Sequence, residues 1–207
     1  MRLTTAAHRA LSRQLRPGDT AIDATAGNGH DTARLAELTS PGGSVFAIDI
    51  QPEALAATRR RLHAEGLGEV CTLICGNHAE ELAKLRPGLA NRAAAAVFNL
   101  GFLPGGDHTI RTRPDSTLAA LDQAGELLRA DGLLAVIAYR GHPGGAAEAR
   151  AVSDWMLRAV SRGWRANARR PPARPPNRAP VLWLARKVAF GDGGGYARCA
   201  FHATQSA

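Results

Sequence analysis

Apolar residues along this chain alternate between two periods, one that fits helices and one that fits short buried strands. Ala6, Ala7, Ala10, Leu11 and Leu15 recur at helical spacing and are stopped by Pro17-Gly18, which predicts a helix over residues 5–15. A short apolar strand is predicted at 21–23, a helix at 31–38 closed by Ser40-Pro41-Gly42-Gly43, and a second strand at 44–49. Pro52 suits the first turn of a helix that carries Ala54, Leu55, Thr58 and Leu62 and ends near Gly66. Strands follow at 71–75 and 93–98, with loops at 76–79 and 99–107 behind them. Residues 112–117 open a helix that runs through Leu118, Leu121, Leu127 and Leu128; Asp131-Gly132 turns the chain, and 133–139 is a strand. A loop at 140–145 leads into a helix over 146–159 with Val152, Trp155 and Met156, and residues 181–185 form a last strand. Strands and helices alternating in this way predict an α/β fold with a parallel sheet covered on both faces.

The pattern breaks in two places. Residues 165–180 hold five arginines and five prolines, which leaves no regular element along most of their length. Gly193-Gly194-Gly195 predicts a flexible tail over 191–207, so the chain reads as one domain over 1–190. Its 207 residues suffice for one well-buried α/β domain and not for two.

Composition adds a partner class. A net charge of +8, from 26 Lys+Arg against 18 Asp+Glu, favours a polyanion, although an arginine excess of this kind also follows from genomic base composition. Cys71, Cys75 and Cys199 lack metal spacing, and Cys71 and Cys75 read as buried thiols of a reducing cytosol. His8, His63, His108 and His202 have no ligand spacing either, so no metal is expected. No apolar run approaches ~18 residues and Met1-Arg2-Leu3-Thr4-Thr5 is no signal core, which predicts a soluble cytoplasmic protein without a membrane partner.

The candidate chemistry begins between Thr20 and Gln51, a strand, glycine-bearing turn, helix and strand ending on an acid. A dinucleotide turn would carry three glycines spaced G-x-G-x-x-G; here Gly27 and Gly29 supply two, and Thr32 takes the third place. Asp23 at the strand end, with Asn28 and Asp31 flanking the turn, suits a ligand bearing a cationic amine and a sulfonium better than one bearing phosphates. Asp49 closes the second strand, where an acid can take both ribose hydroxyls. Together they point to S-adenosyl-L-methionine; the competing reading is an ordinary α/β turn without a ligand.

Further motifs extend the picture. The stretches Asp23 to Thr32, Asp49-Ile50-Gln51, Gly76-Asn77-His78, Asn99-Leu100-Gly101-Phe102-Leu103-Pro104-Gly105-Gly106-Asp107, Gly141-His142-Pro143-Gly144-Gly145, and Asn177 with Pro180 follow one another along the chain. In this order they resemble the motifs of the class I S-adenosylmethionine-dependent methyltransferases labelled putative rRNA methylases. Characterised members methylate the amine of 5-aminomethyl-2-thiouridine at the tRNA wobble position. The resemblance covers residues 5–188 and implies a Rossmann-like, doubly wound, seven-stranded sheet, mostly parallel, whose last strand is antiparallel. It also implies tRNA, through its anticodon stem-loop, as partner. The basic segment 165–180 looks longer than the family's usual link, and residues 190–207 look additional, which bears on the tRNA contacts and not on the cofactor site.

Roles can then be assigned residue by residue. Asp23, Gly27, Asn28, Gly29, Asp31, Asp49, Gln51, Asn77 and His78 are the expected cofactor residues, His78 by the motif match alone. Asn99 is expected to accept a hydrogen bond from the substrate amine and aim its lone pair, or else to cap its own loop; the likeness to the NPPY-type loops of amino-methylating enzymes is by position only. His142 is a candidate proton acceptor or RNA contact and Tyr139 a candidate stacking partner for uridine, each with simple packing as the alternative. Gly105, Gly106, Asp107, His142 and Asn177 are the expected substrate residues, Asp107 chiefly by holding the glycine turn. Arg169, Arg170, Arg174 and Arg178 either track phosphates or form a solvated loop. A methyltransferase acting on other RNA (rRNA), a small molecule or a protein, and a non-catalytic RNA-binding module, are the competing functions, and a homodimer stays open.

Overall fold

Ala93–Leu100 reads Ala-Ala-Ala-Ala-Val-Phe-Asn-Leu, and every residue of it except Asn99 is buried. Such a run suits a central parallel strand, whose two faces are both covered and whose small side chains let helices approach closely. The computed structural model describes residues 2–107, 109–171 and 179–188 and places this strand fourth in chain order, β4. The others are β1 (Thr20–Asp23), β2 (Ser44–Asp49), β3 (Cys71–Cys75), β5 (Leu128–Ala138), β6 (Arg165–Arg169) and β7 (Val181–Arg186). They form one sheet in the order β3-β2-β1-β4-β5-β7-β6. β7 runs antiparallel to both β5 and β6, and the remaining neighbours are parallel.

Among the described residues six α-helices cover the sheet: α1 (Leu3–Gln14), α2 (His30–Thr39), α3 (Pro52–Ala64), α4 (His78–Leu89), α5 (Pro114–Leu127) and α6 (Gly145–Ser161). Leu11, Leu35, Ala36 and Leu62 bring α1 to α3 onto one face. Leu82, Leu121, Leu127, Val152 and Met156 bring α4 to α6 onto the other. Apolar residues at i, i+3, i+4 and i+7 of α6 (Val152, Trp155, Met156, Ala159) form its buried stripe.

The structure departs from the pattern reading at four points. Residues 78–89 form α4, capped by Asn77, whose Oδ1 accepts the Ala79 N–H at 2.9 Å. Its apolar stripe is thin, with only His78 and Leu82 buried, so periodicity did not reveal it. The expected turn at Asp131-Gly132 is an irregularity inside β5, where Asp131 has φ 59° and the register on β4 shifts. Residues 165–169 are not irregular: they pair as β6 with β7, since a ladder uses backbone groups and an edge strand tolerates exposed arginines. Cys75 is exposed, and Cys71 is half-buried, because β3 is the opposite edge; burial still pushes the Cys71 thiol up to about 11. The expected tail at 191–207 lies outside the described residues.

Candidate active site

The strand order reverses between β1 and β4, and beyond the carboxyl ends of these strands lies a cleft of about 960 Å³. Its wall takes Gly27 and Asn28 from the turn after β1, Asp49, Ile50 and Gln51 from the end of β2, and Asn77 and His78 after β3. On the other side stand Asn99 at the end of β4, Phe102 and Ile110 from the following loop, and Tyr139 and His142 after β5.

Close packing dictates the first turn. Gly29 has φ +78°, and a Cβ there would lie 2.8 Å from the Thr58 Cα, so α2 and α3 can approach only across a glycine. Asp49 binds the turn to β2: its Oδ2 accepts the Gly27 N–H at 2.8 Å and its Oδ1 the Gln51 N–H at 2.9 Å. The Ile50 N–H is a third backbone partner of this carboxylate, which leaves one lone pair for a further donor. Burial raises the Asp49 pKa, and the backbone N–H bonds oppose that shift. Arg61 Nε donates to the Asn28 carbonyl at 2.9 Å, and its Nη2 lies 3.2 Å from His30 Nε2, which places His30 at the lip of the turn.

Asp23 does not reach the cleft wall. It is 1% exposed, and its oxygens accept the Thr25 N–H at 3.1 Å and the Thr32 hydroxyl at 2.6 Å. Burial first, then the charge of Asp31, lifts its pKa from 3.8 to about 7. Between those values the folded chain keeps a proton that the unfolded chain has released, so this group's contribution to stability is complete below about pH 4 and is lost as pH rises through about 7. Asp23→Asn keeps an acceptor for Thr25 and a donor for the Thr32 oxygen. Thermal midpoints from pH 4 to 8 are expected to fall less in Asp23→Asn than in the native chain; parallel curves would contradict the assignment.

The opposite end holds a feature that no spacing in the sequence pointed to. His8, on α1, donates from Nε2 to Asp31 Oδ1 at 2.5 Å, and Asn99 Nδ2 donates to Asp31 Oδ2 at 2.8 Å. The backbone N–H of Asn99 donates to Thr25 Oγ1 at 2.7 Å. Asn99 Oδ1 is buried and has no hydrogen-bond partner among the described residues. The same is true of His78 Nε2 and His142 Nε2, at either end of the cleft. Burial lowers the His78 pKa, so its ring is neutral near pH 7. The Nδ1 of His142 lies 3.1 Å from the Pro143 carbonyl, and as the donor it leaves Nε2 the acceptor. A Cβ on Gly145 would lie 2.4 Å from the Tyr139 carbonyl and 2.7 Å from His142 Nε2, so this loop closes only with glycine there.

Tyr139 is 40% exposed, and burial together with the charge of Asp31 raises its phenol pKa, keeping it a neutral donor. Gln51 is buried beside Asp49. Gly105, Gly106 and Asp107 are not among the residues that line the cleft, and Gly105 and Asp107 are exposed; Asp107 Oδ1 accepts the Thr109 N–H at 2.8 Å. Glu148, buried at the start of α6 and unnoticed in the sequence, takes the hydroxyls of Thr112 and Thr117 at 2.8 and 2.7 Å and so joins the loop after β4 to α5 and α6. Asn177, Arg174 and Arg178 lie outside the described residues, whereas Arg169 and Arg170 are exposed. Among the described residues no cluster of three His, Cys, Asp or Glu could hold a metal, and no helix is long and apolar enough to cross a membrane.

A carboxylate at the end of β2, a glycine turn, and polar atoms without partners among the described residues at both ends of one cleft suit a nucleoside joined to an amino-acid tail better than a pyrophosphate. The fold and site define a class I S-adenosyl-L-methionine-dependent methyltransferase. A structure described as a putative rRNA-methylase from Clostridium thermocellum superposes with TM-score 0.80 at 32% identity, over 88% of this chain and 96% of that one. A putative methyltransferase of Streptococcus mutans, SMU.1697c, in complex with SAH, gives TM-score 0.77 at 29% identity over 90% and 98%. Residues 45–185 match the family model described as "Putative rRNA methylase", and the chain belongs to that family. It is also 37% identical, over 169 residues, to the Arabidopsis thaliana protein named tRNA (mnm(5)s(2)U34)-methyltransferase, chloroplastic. That match takes in 74% of this chain but only 61% of the plant protein's length.

Proposed function

We propose that this methyltransferase N-methylates the aminomethyl group of 5-aminomethyl-2-thiouridine at the wobble position of tRNA. The observation that carries the reading is the state of Asn99. Its Nδ2 is committed to Asp31, and its oxygen is a buried acceptor without a donor among the described residues, on a residue of the cleft wall. A buried acceptor of this kind is costly until a donor arrives, and an amine N–H supplies one. The name of the plant relative is consistent with the same substrate.

The bound cofactor supplies an electrophilic methyl group on a sulfonium sulfur. Asp49 and Gln51 would hold its ribose, and His78 and Asn77 would stand beside its adenine. Asn99 Oδ1 accepts an N–H of the neutral amine and directs its lone pair along the line of displacement. His142 Nε2 takes the proton that the methylated amine sheds. Phe102, Ile110 and Tyr139 are large apolar side chains left exposed on the rim, a surface on which an unstacked base can lie. Arg111, Arg113 and Arg140, in the same wall, supply positive charge for the phosphates.

The test is mass spectrometry of nucleosides from tRNA carrying 5-aminomethyl-2-thiouridine after incubation with the protein and S-adenosyl-L-methionine. One added methyl group on that nucleoside alone is expected. No gain while SAH still binds would leave the methyltransferase class standing and overturn the substrate.

A further inference from the structure

Asn99 can present its oxygen to the cleft only while something holds its amide from turning over. Asp31 does so on the donor side: a carboxylate accepts and does not donate, so the NH2 end must face it. A carboxylate held by one partner can still rotate, but the second oxygen of Asp31 is held by His8. His8 belongs to α1, which is anchored independently by Ala6 and Ala7 on Ile137 and Leu182 and by Leu11 in the neighbouring core. The same helix is tied to α2, the helix of Asp31, through the Ser12 hydroxyl, which accepts from Arg34 Nη2 at 2.7 Å. Thus α1 does more than cover the sheet: it delivers one donor to the carboxylate of Asp31, a residue of the cleft wall. His8 does not itself line the cleft.

We infer that His8 is a positioning residue that acts through Asp31 to fix the Asn99 amide with its oxygen toward the substrate amine. The inference rests on the role proposed above for Asn99. It gives the N-terminal helix a part in turnover that neither its sequence nor its position outside the cleft suggests.

His8→Ala removes the donor, and His8→Gln restores one, because glutamine Nε2 lies the same number of bonds from the backbone as histidine Nε2. In the ligand-free protein the Asn99 side-chain NH2 signals, identified by their loss in Asn99→Ala, are expected to shift in His8→Ala and to return in His8→Gln. For turnover on the tRNA substrate, about a tenfold fall in kcat is expected in His8→Ala, since small misplacements of aligned groups cost up to ~100-fold. The SAH Kd by calorimetry should stay within about twofold, and His8→Gln should recover most of the rate. Unmoved Asn99 signals, an unchanged kcat, or a loss that His8→Gln does not recover would overturn the inference. So would a loss confined to SAH affinity, which would turn Asn99 toward the cofactor. A native protein inactive on the tRNA would count against the proposed substrate, while the NMR arm still decides whether His8 holds the amide.

Discussion

Asn99→Ala is expected to lower kcat on the tRNA substrate by about 100-fold, or ~2.7 kcal/mol of transition-state stabilisation, while leaving the SAH Kd within about twofold. The split follows from where the side chain points. Its Nδ2 faces Asp31 and its buried Oδ1 has no partner among the described residues, so truncation removes the group proposed to align the amine. The backbone N–H of residue 99 keeps its bond to Thr25 Oγ1, so the end of β4 should stay in place. Asn99→Asp is not expected to rescue: it keeps an acceptor but sets a second carboxylate against Asp31, where like charges repel. Rapid-quench turnover with calorimetry of SAH separates the two quantities. Full turnover in Asn99→Ala would remove it from the amine-positioning role.

The second large effect is expected at Asp49, on affinity rather than rate. Asp49→Ala should raise the SAH Kd by about 100-fold or more, since hydrogen bonds to a charged acceptor contribute ~1.5–3 kcal/mol each. The ribose proposed to bind there would lose its acceptor, and the Gly27 and Gln51 N–H groups lose theirs, so the glycine turn also loosens. Asp49→Asn, which keeps one acceptor, should show a smaller loss. Calorimetric titration with SAH measures both variants. An unchanged Kd in Asp49→Ala would place the ribose elsewhere in the cleft.

The contrast between these two residues and Asp23 shows what a linear reading can reach. All three were assigned from position relative to a strand end. Asp49 and Asn99 stand in the cleft wall, but Asp23, a carboxyl like Asp49 and equally placed, folds back onto Thr25 and Thr32. Which way a side chain turns at the end of a strand depends on the neighbouring strand and helix, and these come from other parts of the chain.

Local chemistry was enough for most of the architecture. The alternation of apolar runs, the prolines at the starts of α3 and α5, and the glycine turn after β1 are short-range signals, and among the described residues they located every α-helix but α4 and every strand but β6. β6 escaped because its pairing is made by backbone groups with β7, 13 or more residues further on, and arginine side chains do not advertise it. The antiparallel sense of β7 entered only through family likeness, since strand direction leaves no mark on composition.

By itself the sequence determined an α/β chain with a methionine-cofactor turn, an acid at the end of β2 and a polar residue at the end of β4, because each of these depends on residues adjacent along the backbone. Only the tertiary structure decided that His8, Asp31 and Asn99 form one hydrogen-bonded chain, across 23 and 68 residues of separation. It also decided that Glu148 joins the loop after β4 to α5 and α6, and that Asp23 supports the turn rather than lining the cleft. Hydrogen bonds act over about 3 Å, and residues so far apart in sequence come within that distance only after the sheet has assembled.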